Sequence, residues 1–504
     1  MKKNKAVFLN GDGAITENLD INFPDKIKSH SEIFDALKII SEYNFLIFII
    51  ANQRTTSGKF ISKNELEKVP KLIQQLNAKS IKIVEIFAHD SNHNCEYRKS
   101  PTYFLRKAIE KYDINLKDSY IIGNHPSNFI MTQKYPIKSL YLLSGNGLKY
   151  RNEAEKTNAK ILPDILSAAE FIQINENLQK IYNNNNELEE KILQASLVIK
   201  NNGTVVMPTE TVYGLAANAE NRKAVEKIFS IKKRPSYDPL IVHISNFEML
   251  NKIVLEIPAK AKILMENLWP GPLTIVLRKK QIIPDIVTAN LPSVAVRMPM
   301  HPIALKLIEY SGPIAAPSAN LFSQLSPTRY SDISKEIIQN ANFAINGGDC
   351  IKGLESTIIS FLNEDKPQLL RAGSISVEKI ERLIGKISIK KSSTQSSEAP
   401  GMQKKHYSPK TPIFIIKSPN DISDEKKIKS ALLSFKKISP KQVSQFKITK
   451  LLTSDCDFRK AAAQLYSTLA ELDKLKLKAI YTILPKKKGL GLAIADRLIR
   501  ASEK

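Results

Sequence analysis

The sequence is poor in cysteine: three in 504 residues, Cys95, Cys350 and Cys456, far apart and in no CxxC pair. That spacing excludes a disulfide framework and an ordinary Cys-rich zinc module, so reduced thiols are expected. Long apolar runs are also missing. The longest, residues 45–51, falls far below the roughly 20 residues that a membrane helix requires. At the start, Lys2, Lys3 and Lys5 lead straight into an alternating strand over 6–9, without the apolar stretch and small-residue cleavage site of a secretory signal. A cytoplasmic location is the expectation.

What is present reads as globular, with 42% hydrophobic and 25% charged residues. The length exceeds what one hydrophobic core supports, so several domains are expected. Lys and Arg number 75 against 50 Asp and Glu, a formal charge of +25. Such an excess favours polyanionic partners. It is equally what over-use of Lys, Asn and Ile produces when most lysines sit on solvated faces.

Short β-branched runs alternate with helical patterns through the first stretch: strands at 6–9, 45–50, 83–87 and 120–123, helices at 31–43, 70–76 and 101–112. That rhythm predicts a parallel sheet with covering helices over residues 1–175. A helical pattern at 165–174 is followed by four asparagines, 183–186, which support neither helix nor strand and place a linker at 176–188. A second α/β domain, 189–389, carries denser Pro and Gly punctuation. Residues 390–411 read as a flexible connector rich in Ser, Lys and Thr. Strands at 413–416 and 479–484 around a helix at 458–472 predict a small α/β domain over 412–504.

Several clusters in the second domain carry chemistry. Pro208-Thr209-Glu210-Thr211-Val212-Tyr213-Gly214 follows an apolar strand and gathers two hydroxyls, a carboxylate and a phenol in what reads as a strand-to-helix turn. Such a turn presents donors and acceptors to a small polar ligand, or it is an ordinary helix N-cap at Thr209 or Thr211. Lys232-Lys233-Arg234-Pro235 ends a helical pattern, and Asp238-Pro239-Leu240-Ile241-Val242-His243 follows as a strand with a histidine. Basic groups at a helix end suit phosphate, and they also suit the helix dipole alone. Arg297 stands on the apolar strand 294–298, where its charge requires either an anionic ligand or a buried acid. Ser318, Asn320 and Ser326 lie in Pro-punctuated turns, and Glu355-Ser356-Thr357 and Arg371-Ala372-Gly373 sit at strand ends.

In order and spacing, PTETVYGLA, KKRPSYDPLIVHI, LWPGPLTIVL, VAVRMP, AAPSAN, GLESTII and LLRAGSI closely resemble the YrdC-like family of threonylcarbamoyl-adenylate synthases. The segment 399–409, APGMQKKHYSP, resembles the linker of the long, two-domain form of that family, and GLGLAI with Arg497-Leu498 the end of its C-terminal domain. The resemblance spans about 188–504. It implies that Thr211, His243, Arg297 and Ser356 hold L-threonine, with Arg297 on the carboxylate. It implies that Lys232, Arg234, Asp238, Ser318, Asn320, Ser326 and Arg371 hold ATP, with Tyr407 closing over the nucleotide. Asp238 stands where the family pattern has Asn before Pro-Leu, which keeps an acceptor, loses a donor and adds a charge.

The implied reaction joins threonine and bicarbonate-derived CO2 into a carbamate, which attacks the α-phosphate of ATP and expels pyrophosphate. Catalysis rests on positioning and on the cations Lys232 and Arg234, with Mg2+ accompanying ATP. The product would pass to a separate transferase that modifies an adenosine of tRNA.

Residues 1–175 resemble haloacid-dehalogenase-type phosphatases, particularly those of histidinol phosphate and heptose bisphosphate. The resemblance rests on Phe8-Leu9-Asn10-Gly11-Asp12-Gly13, Ala51-Asn52-Gln53, Arg98-Lys99 and Ile122-Gly123-Asn124. Of the five expected catalytic positions Asp12 and Lys99 keep their chemistry, whereas Asn10, Ala51 and Asn124 do not. An amide neither acts as a carboxylate nucleophile nor supplies charge for Mg2+. The family's zinc loop is reduced to His93 and Cys95, with Tyr97 in place of a second Cys. The domain is therefore expected to be folded and inactive. Two other functions remain in view: a noncatalytic protein whose basic cavity binds double-stranded RNA, and a phosphatase, which needs an Asp at position 10.

Overall fold

The computed structural model describes residues 3–10, 31–52, 83–89, 103–126, 128–129, 134–182, 184–364, 366–389, 400, 407–437, 439, 445–453 and 457–503. The helix expected at 70–76, the zinc-loop remnant at 93–97, Asp12, Lys99 and most of the connector 390–406 lie outside these residues. The side chain of Ala51 does too. By internal contacts the chain forms two compact units, Met1–Glu176 and Asn177–Lys504.

In the first unit six parallel strands stand in the order β3-β2-β1-β4-β5-β6: β1 Lys5–Asn10, β2 Phe45–Asn52, β3 Ile83–His89, β4 Tyr120–Gly123, β5 Lys138–Leu142 and β6 Lys160–Leu162. The strands read as unbroken apolar runs because both faces of a parallel sheet are buried. Phe8 stacks on Phe48 across β1 and β2, and Ala6, Leu105, Ala108 and Tyr141 complete one core. Strand order reverses beside β1, so the carboxyl ends of β1 and β4 flank a topological switch. Asn10 and Asn124 stand there, with Asn10 Nδ2 donating to Asn128 Oδ1 at 3.0 Å.

The stretch expected as a linker is helical at both ends. One helix runs Ile165–Ile181 and the next Asn185–Lys200. The asparagine run works as a cap rather than as a spacer, because Asn184 Oδ1 accepts the Glu187 N–H at 2.9 Å.

The second unit holds two sheets. Ten mixed strands run in the order β13-β7-β8-β12-β9-β11-β10-β14-β15-β16. Their bounds are β7 Val205–Met207, β8 Gly214–Asn218, β9 Ile241–His243, β10 Leu273–Arg278, β11 Ser293–Arg297, β12 Ile314–Ala315, β13 Phe343–Ala344, β14 Thr357–Ser360, β15 Gln368–Arg371 and β16 Ser388–Ile389. The main core forms where helices Arg222–Lys232 and Ala259–Leu268 cover this sheet through Val225, Ile228, Leu264 and the fully buried Trp269. The smaller sheet is parallel, β17 Ile413–Ile415, β20 Ile480–Thr482, β18 Ala431–Ser434 and β19 Ile448–Leu451 in that spatial order. Helices Phe458–Lys474 and Leu490–Ser502 cover it through Leu465, Leu469, Ile494 and Leu498. Among the described residues no helix is long and apolar enough to cross a membrane, and Cys350 is buried in no disulfide.

Candidate functional site

The PTETVYG segment joins two antiparallel strands, β7 and β8, with Met207 opposite Gly214. The sequence pattern predicted a strand-to-helix turn instead. The next helix starts at Arg222 under an Asn221 cap, so neither Thr209 nor Thr211 caps it. Thr209 Oγ1 donates to Val212 O at 2.6 Å and meets Thr211 Oγ1 at 2.8 Å, which folds the loop on itself. Tyr213 pins the other flank, its hydroxyl donating to Gly348 O at 2.7 Å and accepting the Gly347 N–H at 2.9 Å.

Strand register assembles the rest. Arg297 at the end of β11 lies beside His243 at the end of parallel β9, and beside Thr274 of antiparallel β10. β14 runs parallel to β10 and starts at Thr357, which sets Ser356 on the same sheet edge. Ser356 Oγ is 2.6 Å from Thr274 Oγ1 and accepts from Arg371 Nη2 at 3.0 Å. Arg371 also donates to Ser356 O and to Pro400 O. These groups line a cavity of about 570 Å³ including its mouth, with Thr211, Ser318, Arg234, Glu355 and Tyr407.

Among the described residues three guanidiniums, Arg234, Arg297 and Arg371, face this space against one carboxylate, Glu355. Arg297 is answered by an acid: its Nη2 lies 2.7 Å from Glu210 Oε1. Burial, with Arg297 nearby, pushes the His243 imidazole down to about 3, so it is neutral at pH 7. Its Nδ1 has no hydrogen-bond partner among the described residues. Burial pushes the Glu355 carboxyl up, and Arg497, Arg371 and the Ser326 hydroxyl more than offset that, bringing it down to about 2. Glu355 therefore stays ionised at any physiological pH.

The helix Arg222–Lys232 ends in a left-handed Lys233, φ 52°, with the Arg234 N–H on Phe229 O at 3.0 Å. This reversal turns Lys232 and Arg234 inward and leaves Lys233 on the surface with Glu336. Arg234 pairs with the fully buried Asp238 at 2.9 Å and donates to the carbonyls of Asp238 and Pro239. Asp238 thus serves as the counter-ion of Arg234, a role that an Asn would not fill.

Of the residues expected to touch ligand, Lys232, Asp238, Asn320 and Ser326 stand behind the cavity wall. Lys232 Nζ donates to the carbonyls of Ser318 and Asn320, which ties the loop to the helix. Burial, then Arg234, pushes its ammonium well below the usual lysine range. Asn320 Nδ2 donates to Leu321 O and Gln324 O, and Ser326 Oγ donates to Glu355 Oε1 at 2.7 Å. Two acids absent from the expected set, Glu210 and Glu355, hold it together. The signal for both was their place within the PTETVYG and GLESTII motifs, each next to a residue that was singled out. In the first unit Asn10 and Asn124 are described and close at the sheet's carboxyl edge, and Ala51 lies at the end of β2.

Two family profiles match in tandem: residues 197–373 the family described as "Telomere recombination", and residues 375–503 the "Threonylcarbamoyl-AMP synthase, C-terminal domain". A threonylcarbamoyl-AMP synthase of Pyrococcus abyssi is 39% identical over 332 residues, 64% of this chain and 97% of its own length. One of Bacillus subtilis is 39% identical over 62% of this chain and 93% of its own. The crystal structure of P. abyssi Sua5 complexed with L-threonine superposes with a TM-score of 0.58 at 37% identity, over 62% of this chain and 94% of that one. With near-complete coverage of such relatives, this chain belongs to the threonylcarbamoyl-AMP synthase family.

Proposed function

We infer that the second unit converts L-threonine, bicarbonate and ATP into threonylcarbamoyl-adenylate and pyrophosphate. The observation that carries this reading is the cavity at the sheet edge, in which three guanidiniums and a neutral histidine face one space. That is a site for carboxylate and phosphate together. Thr211, His243, Arg297 and Ser356 take threonine, with its carboxylate on Arg297 and the unpartnered His243 Nδ1 free to bond the ligand. Arg234, Ser318, Arg371 and Tyr407 take ATP, while Lys232, Asp238, Asn320 and Ser326 act at one remove by fixing the loops that bear those groups.

The threonine amine adds to CO2 released from bicarbonate and loses a proton, giving a carbamate. A carbamate oxygen then attacks the α-phosphorus, and the Pα–O bond to pyrophosphate breaks. No covalent enzyme intermediate is needed, so the rate comes from alignment and from charge placed in advance on the phosphates. Among the described residues no cluster of His, Cys, Asp and Glu could hold a metal, and Glu355 is fully engaged by protein groups. We propose that Mg2+ enters on the phosphates of the nucleotide, as Mg·ATP. The product serves tRNA modification through a separate transferase, in keeping with a charge of +25.

The first unit we read as a haloacid-dehalogenase-type phosphatase domain that has lost its chemistry. Its parallel sheet and the position of Asn10 and Asn124 beside the strand-order switch support the reading. An amide pair bonded through Asn10 and Asn128 takes the place where a nucleophilic carboxylate is required.

The test of the synthase reading is incubation of the full chain with ATP, L-threonine and labelled bicarbonate. Label recovered in an acid-labile adenylate supports it, and label absent from every nucleotide product sinks it. Retention of duplex RNA without such turnover would favour the noncatalytic reading.

A further inference from the structure

The C-terminal helices reach into the wall of the cavity. Helix Phe458–Lys474 lies so close to the 353–355 loop that a Cβ on Gly353, φ +67°, would stand 2.4 Å from Ala462 O and 2.5 Å from Ala463 Cα. From helix Leu490–Ser502 comes Arg497, only 1% exposed. Its Nε donates to Glu355 Oε2 at 2.8 Å, its Nη2 to Ala372 O at 3.0 Å and its Nη1 to Asp496 Oδ2 at 2.7 Å. The face of the same guanidinium lies 4.7 Å from the centre of the Tyr407 ring. Tyr466 adds a hydroxyl on Glu355 Oε2 at 3.1 Å and a ring stacked on Tyr407. Three pieces of cavity wall, Glu355 with Ser356, Arg371 with Ala372, and Tyr407, thus meet on one side chain that does not itself line the cavity.

The charge makes this contact matter for a nucleotide. Among the described residues Glu355 is the one carboxylate lining the cavity, and unanswered it would repel phosphate through a low-dielectric wall. We propose that Arg497 is a positioning residue of the nucleotide site: it neutralises Glu355 and backs the Tyr407 ring, which makes the C-terminal domain a working part of the site. The inference rests on the assignment of ATP to this cavity. A purely structural role for the same contact would lower the melting temperature and leave substrate discrimination unchanged.

The experiment measures ATP binding to the full chain by calorimetry, and KM for ATP and threonine by pyrophosphate release, in wild type, Arg497→Lys, Arg497→Met and Glu355→Gln/Arg497→Met. Loss of one partner of a buried charge pair should raise the ATP Kd and KM in Arg497→Met by roughly 20-fold or more, with threonine KM changed less than about threefold. Arg497→Lys keeps the charge opposite Glu355 but loses the plane against Tyr407, so its ATP affinity should fall between wild type and Arg497→Met. The double variant carries no orphaned carboxylate, so it should fold and regain about fivefold or more in ATP affinity over Arg497→Met. ATP binding in Arg497→Met within about twofold of wild type, equal losses for both substrates, or a double variant no better than the single one would each overturn the proposal. A wild type that binds ATP without releasing pyrophosphate refutes the synthase reading and leaves the binding comparison intact; one that binds no ATP overturns both.

Discussion

Arg297 Nη2 and Glu210 Oε1 stand 2.7 Å apart with both side chains almost wholly removed from solvent. The pair settles how an arginine persists on an apolar strand before any ligand arrives: the PTETVYG loop supplies the counter-charge. On the proposed assignment of threonine, its carboxylate needs to win only part of the guanidinium, whose Nε makes one long contact of 3.4 Å to Gly271 O.

Replacing Arg297 with Ala should therefore have two separable effects. The threonine requirement should rise roughly 10- to 100-fold, the loss of a charge-assisted hydrogen bond of about 1.5–3 kcal/mol, with little change for ATP. Stability should fall by about 3–5 kcal/mol, because Glu210 is left buried and unpaired. Adding Glu210→Gln should restore the melting temperature and not the threonine affinity. Equal loss for both substrates would show that Arg297 does not hold threonine.

Two buried histidines make the second unit acid-sensitive. Burial pushes both His243 and His301 down to about 3, against 6.5 when unfolded. A depressed histidine leaves the unfolded chain holding more protons, so the stability present above pH 6.5 is lost as pH falls from 6.5 toward 3. Each should cost about 2 kcal/mol between pH 7 and pH 5. Glu355 adds nothing there, since its window opens below pH 4.5. Denaturant titrations at the two pH values should show a smaller loss in His243→Gln than in wild type; identical losses would mean that His243 takes up its proton in the folded protein.

The first unit should hydrolyse no phosphate ester. Histidinol phosphate, a heptose bisphosphate and an aryl phosphate, offered with Mg2+ to the full chain, should give no turnover above a no-enzyme blank. Turnover abolished by Asp12→Ala would reverse this. Activity appearing only in Asn10→Asp with Ala51→Thr and Asn124→Asp would support the assignment of the lost positions.

Much of the candidate cavity lining was legible because most of its groups sit where strands end. His243, Arg297, Ser356 and Arg371 were each marked as a polar residue at the edge of an apolar run and Thr211 as part of the polar turn after one, and they line one cavity. Their partners were less visible. Glu210 and Glu355 were quoted inside motifs without a role, because an acid's distant cation cannot be read along the chain. Lys232 reads in sequence as a phosphate ligand, whereas its ammonium is held by two carbonyls from 86 and 88 residues away. Strands β12, β13 and β16 are two residues long, too short for alternation to show. The asparagine run misled for a local reason: the same side chain that breaks a helix interior caps the start of the next one.

Pyrophosphate release tests the central claim most directly. With the full chain and Mg·ATP, release should need L-threonine and bicarbonate together, and omission of either should return the rate to the blank. ATP breakdown that proceeds at the same rate without threonine would contradict the account.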